Sequence, residues 1–131
     1  MTVIIQFTRG RWMETDSLTY KGLPFMEAVV DISLFAGKQA KLYVETLHQK
    51  GDGGSICLAW QQKKKEWNHF ENSYIHTSKK SPTKWQLLES DWFPIPDIKG
   101  VSCLWIMGKR YPETEKVGVA LASLVITDDD F

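Results

Sequence analysis

"KLYVETLHQKGDGGSICLAWQQ", residues 41–62, decides the fold. In its first half Leu42, Val44 and Thr46 alternate with Tyr43, Glu45 and Leu47. Successive side chains of a β-strand point to opposite faces, so this alternation predicts a strand with one buried face. "SICLAWQQ" repeats the pattern, with Ile56, Leu58 and Trp60 on one side and Gln61 opposite. Between the halves stands Gly-Asp-Gly-Gly at 51–54. Glycine reaches positive φ without strain, so this is a hairpin signal. No Lys-Ser or Lys-Thr follows, so a turn fits better than a phosphate-binding loop.

The same period extends outward along the chain. Thr2 to Phe7 reads as a strand, and Arg9 to Leu23 as polar and turn-rich, broken by Gly10 and Gly22. "MEAVVDISLF", 26–35, is a strand-like run interrupted by Glu27 and Asp31, with a short helix as the alternative. Ala36-Gly37-Lys38 is a turn, and 66–77 a less regular edge strand or an excursion. Residues 78–83 form a polar loop with Pro82, and "KWQLLESDWFPIP" follows it. "VSCLWIMG", 101–108, reads as an apolar central strand, "KRYPETEK" as a loop, and "VGVALASLVI", 117–126, as the last buried strand. About eight or nine short strands, turn signals every 8 to 15 residues or so, and no sustained helical period predict an all-β fold. The expected architecture is a two-sheet antiparallel β-sandwich, with residues 1–131 as a single domain.

Composition narrows the function. Lysine plus arginine equals aspartate plus glutamate at 16 each, so the chain has no long-range field for nucleic acid. Lys63-Lys64-Lys65 is short and followed by Glu66, which reads as a solvated turn. No stretch approaches the apolar length of a membrane helix, and "MTVIIQF" lacks the basic start of a signal peptide. The expected location is cytoplasmic for a complete chain and extracellular for an excised module. Cys57 and Cys103 read as two buried reduced thiols or as one bridge between neighbouring strands.

Catalytic and metal motifs are missing. His48, His69 and His76 have no ligand partner at zinc spacing, and no nucleophile-elbow motif occurs. Glu45 is the one acid at an interesting strand position, whereas glycoside hydrolysis takes a pair of carboxylates. The expectation is a domain that is not an enzyme and has no metal or cofactor.

Aromatic content is the positive signal. Six Trp, six Phe and four Tyr are a high aromatic load, which serves a large core, a binding surface or both. Sugar rings stack their C–H faces on Trp and Tyr, while amides, carboxylates and guanidinium groups hold the hydroxyls. If Leu42, Val44, Ile56 and Leu58 fill the core, then Tyr43, Glu45 and Gln61 face outward. Trp105 either joins them or fills the core. Trp12 beside Arg11 and Trp67 beside Asn68 lie in polar stretches read as loops, and Arg110 forms a loop pair with Tyr111. Trp12, Tyr43, Glu45, Gln61, Trp67, Trp105 and Arg110 are the candidate ligand-binding residues.

Four segments, taken in order, carry a family resemblance over roughly residues 33–126. These are "LFAGKQAKLYVETLHQKGDGG", "TKWQLLESDWFPIP", "VSCLWIMG" and "VGVALASLVI". Together they resemble the galactose-binding-like jelly rolls of carbohydrate-binding modules. Plant phloem-type lectin domains are a second, weaker comparison. The resemblance implies a non-catalytic, lectin-like function with a carbohydrate or glycan partner. It also implies that Trp85 is a core tryptophan, that Trp92 or Phe93 fills the next layer, and that the closing strand packs beside the first. Pro94 and Pro96 end their strand, because proline cannot donate to a ladder. The family's opening Asn-Gly-x-Phe-Glu segment is missing. Its closing Asp-Asp is replaced by Ala122 and Ser123, so a structural calcium is not carried over. Asp128 to Asp130 read as a solvated tail. The alternative function is a protein-interaction or assembly domain, such as a viral or phage structural sandwich or an adaptor. Its exposed aromatics would contact a protein partner or a second copy.

Overall fold

A computed structural model describes residues 1–9, 25–50, 54–62, 66–77, 83–109 and 116–128. The described strands are β1 (Thr2–Gln6), β2 (Thr8–Arg9), β3 (Met26–Val29), β4 (Gln39–Lys50), β5 (Ser55–Gln62), β6 (Glu66–His69), β7 (Ile75–His76), β8 (Gln86–Glu89), β9 (Phe93–Pro94), β10 (Cys103–Lys109) and β11 (Lys116–Thr127). They form two antiparallel sheets. The first has the order β1-β11-β4-β8, with β9 also on β4. The second has the order β2-β3-β10-β5-β6, with β7 also on β5. The fold is therefore the all-β, two-sheet sandwich expected, and it is compatible with a jelly roll.

Side-chain alternation places the core between the sheets. Ala40, Leu42 and Val44 of β4 and Ala122, Leu124 and Ile126 of β11 point in from the first sheet. Ile56 and Leu58 of β5 and Leu104 and Ile106 of β10 meet them from the second. Thr46 is the polar inward member of β4, and its hydroxyl donates to the Gly118 carbonyl at 2.8 Å. The chain changes sheets between β1 and β2 at Phe7, which is buried and donates its N–H to the Ala122 carbonyl at 3.1 Å. The first and last strands pair from Thr2↔Thr127 to Gln6↔Ser123, the neighbouring arrangement the resemblance implied.

Strand β11 holds an irregularity that sets its faces. Val119 pairs with Thr46 and Leu121 with Glu45, so Ala120 is an extra residue, a β-bulge. Val117 and Val119 point inward before it, and Ala122, Leu124 and Ile126 after it. Leu121 is thereby turned to solvent at 61% exposure.

Several expectations change. The Gly-Asp-Gly-Gly stretch does not close a hairpin within one sheet, because β4 belongs to the first sheet and β5 to the second. Residues 51–53 lie outside those described. The 26–35 run divides into β3 and a short 3₁₀ helix, Ile32–Phe35. Asp31 explains the break, since its Oδ1 accepts from the Ser33 backbone N–H at 3.0 Å and caps the helix. Gly37 follows at φ 82, the left-handed region that favours glycine. Trp85 is not a core residue: at 40% exposure it lies on the outer side with Leu87 and Glu89, while Gln86 and Leu88 point in. Phe93 takes the core position and is fully buried. Cys57 and Cys103 are free. Cys57 opposes Met107 and Cys103 opposes Val29, so they stand four residues apart along β10, about 13 Å and beyond a disulfide's reach.

Candidate functional site

One end of the sandwich carries a cleft of about 360 Å³ lined by Trp60, His69, Phe70, Glu71, Asn72, Pro94 and Pro96. One wall is the turn after β6. The Phe70 carbonyl accepts the Ser73 N–H at 3.3 Å, closing a four-residue turn. Asn72 in that turn has φ 64, a left-handed conformation that asparagine tolerates better than most residues. The turn is fastened from below by Ser73, whose side chain is completely buried. Its Oγ accepts the Leu58 N–H at 3.1 Å and donates to the Phe70 carbonyl at 2.7 Å. Phe70 is thus driven into the core, while Glu71 and Asn72 project to solvent.

The opposite wall comes from the first sheet. Phe93 and Ile95 point into the core and Pro94 and Pro96 point out, a period-two pattern across a proline-flanked segment. The Ile95 N–H donates to the Lys38 carbonyl at 2.9 Å, and its carbonyl accepts the Gly37 N–H at 2.8 Å. Between the walls Trp60 packs edge-on against Phe70 with ring centroids 4.6 Å apart, and Phe70 lies 5.8 Å from Phe93. An aromatic stack rooted in the core therefore floors the cleft. Glu71 offers an acceptor, and Asn72 and His69 each carry both donor and acceptor capacity. Apolar ring faces bordered by mixed hydrogen-bonding groups suit a small polyhydroxylated molecule. The volume sits near the lower end of small-molecule sites, roughly 300–1,000 Å³.

The residues singled out from sequence fall on two surfaces. Tyr43 and Glu45 lie on the outer face of the first sheet, where Tyr43 pairs with Glu89 and Glu45 with Leu87. Gln61 and Trp105 lie on the outer face of the second, because Leu104, Ile106, Leu58 and Trp60 take the inward positions. Trp105 packs over Cys57, Ala59 and Met107. Trp67 is in strand β6 rather than a loop, paired with Gln61. The two groups are separated by at least the sandwich thickness, about 10 Å, so the structure does not bring them together. Trp12 and Arg110 lie outside the described residues. Of the cleft residues, alternation in the sequence puts Trp60 on the core side, the two prolines read as strand ends, and His69 reads as a surface or edge imidazole. The unread signal was Glu71-Asn72 directly after an aromatic, a turn composition that exposes both polar side chains.

Electrostatics centre elsewhere. The Lys41 ammonium sits 2.9 Å from Glu89, a hydrogen bond that raises the lysine above its usual value, and 5.9 and 5.6 Å from the Tyr43 and Trp92 ring centroids. Asp128 is held below the usual carboxylate range by hydrogen bonds from Lys38 and then from the amino-terminal group. Among the described residues no three His, Cys, Asp or Glu side chains gather as a metal site, and no helix is long and apolar enough to cross a membrane. Compared with known proteins, the chain matches no family model and no curated protein sequence.

Proposed function

We propose that this chain is a non-catalytic, lectin-like carbohydrate-binding domain of the galactose-binding-like jelly-roll type, holding a sugar in the end cleft. The observation that carries the reading is the meeting of Trp60 and Phe70 with His69, Glu71 and Asn72 around one concavity. A sugar ring would lie against the indole and the proline faces. Glu71 and Asn72 would take its hydroxyls. Glu71 is the one carboxylate among the described lining residues, whereas glycoside hydrolysis takes two, which favours binding over turnover. A zero net charge supports a neutral ligand over a polyanion.

Titration of tryptophan fluorescence against a panel of neutral mono- and oligosaccharides tests the proposal. A saturable change is expected. Glu71→Gln and Asn72→Gly should each weaken it about tenfold or more, the scale of a lost charge-assisted hydrogen bond. Asn72→Gly keeps the left-handed backbone available, so its loss of binding would not come from misfolding. No response to any sugar at millimolar concentration would overturn the reading.

A second reading, a protein-interaction or assembly domain, is favoured by a different observation: the large aliphatic side chains exposed on the outer face of the first sheet.

A further inference from the structure

The two outer faces of the sandwich are finished differently. At the centre of the second sheet's face Cys57 and Ala59 are fully buried and Met107 nearly so, with Tyr74 and Trp105 packed against them. The second face exposes one large aliphatic away from that centre, Val29 on β3 at 84%, whereas the first sheet's face is open across its middle. Ile4 is 59%, Leu87 69% and Leu121 61% exposed, and Trp85 stands at the same side.

Register gives this face its pattern. One row across the strands reads Leu121–Glu45–Leu87, an acid between two exposed leucines. The next reads Gln6–Ser123–Tyr43–Glu89. The third reads Ile4–Val125–Lys41, with the Trp92 ring beside the ammonium. The outer rows are complementary in sign: Glu45 between apolar groups on one side of Tyr43, and on the other Lys41 beside Val125 and Trp92, with Glu89 bonded to it and Asp91 near enough to raise it. An ammonium carries three N–H donors, and Glu89 takes one of Lys41's.

The geometry points to a two-fold dimer in which this face packs against the same face of a second copy. The axis lies in the interface, across the strands at the level of Tyr43. That rotation exchanges the outer rows. Glu45 meets Lys41 of the other copy twice over, Leu121 meets Val125, and Tyr43 lies over its own counterpart. Glu89 falls near the axis row at the sheet edge, neutralised by Lys41 of its own chain. The described face spans four strands, about 19 Å by about 17 Å, which is small beside the roughly 800 Å² per partner of a standard interface. The dimer is therefore weak and reversible.

Sedimentation equilibrium from about 10 μM to about 1 mM reads it directly. The mass should rise from 15.1 kDa toward twice that value with concentration, and less steeply in high salt. Glu45→Lys and Lys41→Glu should each shift the dissociation constant upward tenfold or more, and Leu121→Asp should leave monomer. Mixing the Glu45→Lys and Lys41→Glu chains should restore association, because the swapped charges then face each other. Circular dichroism confirms that each variant is folded. A wild type that stays monomeric throughout, a dimer indifferent to these substitutions, or a mixture that fails to associate would each overturn the proposal.

Discussion

Ser73 and Ser90 show how much one buried hydroxyl can hold. Each accepts a strand N–H and donates to a nearby carbonyl: Ser73 from Leu58 and to Phe70, Ser90 from Leu42 at 2.9 Å and to Asp91 at 2.8 Å. Removing either leaves a buried strand N–H, that of Leu58 or Leu42, without this partner, which costs about 1–3 kcal/mol. We expect Ser73→Ala and Ser90→Ala to lower the urea midpoint comparably. Only Ser73→Ala should also weaken sugar binding, because Ser73 fastens the turn that presents Glu71 and Asn72. Equal binding losses in the two variants would separate that turn from the site. Neither serine was legible in the sequence. A serine in a polar stretch says nothing of which distant strand it will bridge, and Leu42 is 48 residues from Ser90. Asp31 is the opposite case. An acid inside an apolar run marked the point where the strand gave way to a capped turn.

The strands themselves were largely legible, because a half-buried strand writes its pleat directly into its alternation. Leu42, Val44 and Thr46 point inward as their spacing required. What alternation does not encode is the partner. Glycines after β4 promised a return within the same sheet, yet the chain passes to the other sheet, since both outcomes need a turn. Strand β11 was also ambiguous. "VGVALASLVI" is apolar at nearly every position, and only the bulge at Ala120 decides which side chains enter the core. Deleting Ala120 should therefore be tolerated: the remaining residues alternate correctly on both sides, and the cost should stay below about 2 kcal/mol. Deleting Val125, in the regular stretch beyond the bulge, should cost more. It puts Ile126 out of phase with Leu124, and an exposed aliphatic forfeits about 1.5–3 kcal/mol from a total stability of about 5–15 kcal/mol. Thermal melts of the two deletions, read side by side, check this.

At the scale of the molecule, the sandwich was readable from strand spacing, but the cleft was not. Its walls come from different sheets, with His69 to Asn72 on one and Pro94 and Pro96 on the other, and no local pattern announces that they meet. Charge links the ends of the chain in a similar long-range way. Asp128 is bonded by Lys38 and lies 3.3 Å from the amino terminus. A carboxylate whose folded pKa lies below its unfolded value of about 3.9 contributes stability above that value. The contribution is lost as pH falls through the folded value. Wild type should thus exceed Asp128→Asn in stability at neutral pH, with the gap closing below about pH 4. A gap that persists into stronger acid would mean the pair is not its source. Lys41, raised by Glu89, acts in the reverse sense and loses its contribution only in strong alkali.

The pairing of Thr2–Gln6 with Ser123–Thr127 bears on how the protein comes to be made. Synthesis delivers Thr2–Gln6 about 120 residues ahead of the segment it pairs with. Until that partner arrives, Thr2–Gln6 waits with an unoccupied edge, the kind of surface that recruits strangers. This sheet therefore closes only after Ser123–Thr127 has emerged, and a chaperone that shields Thr2–Gln6 in the interval would guard that edge.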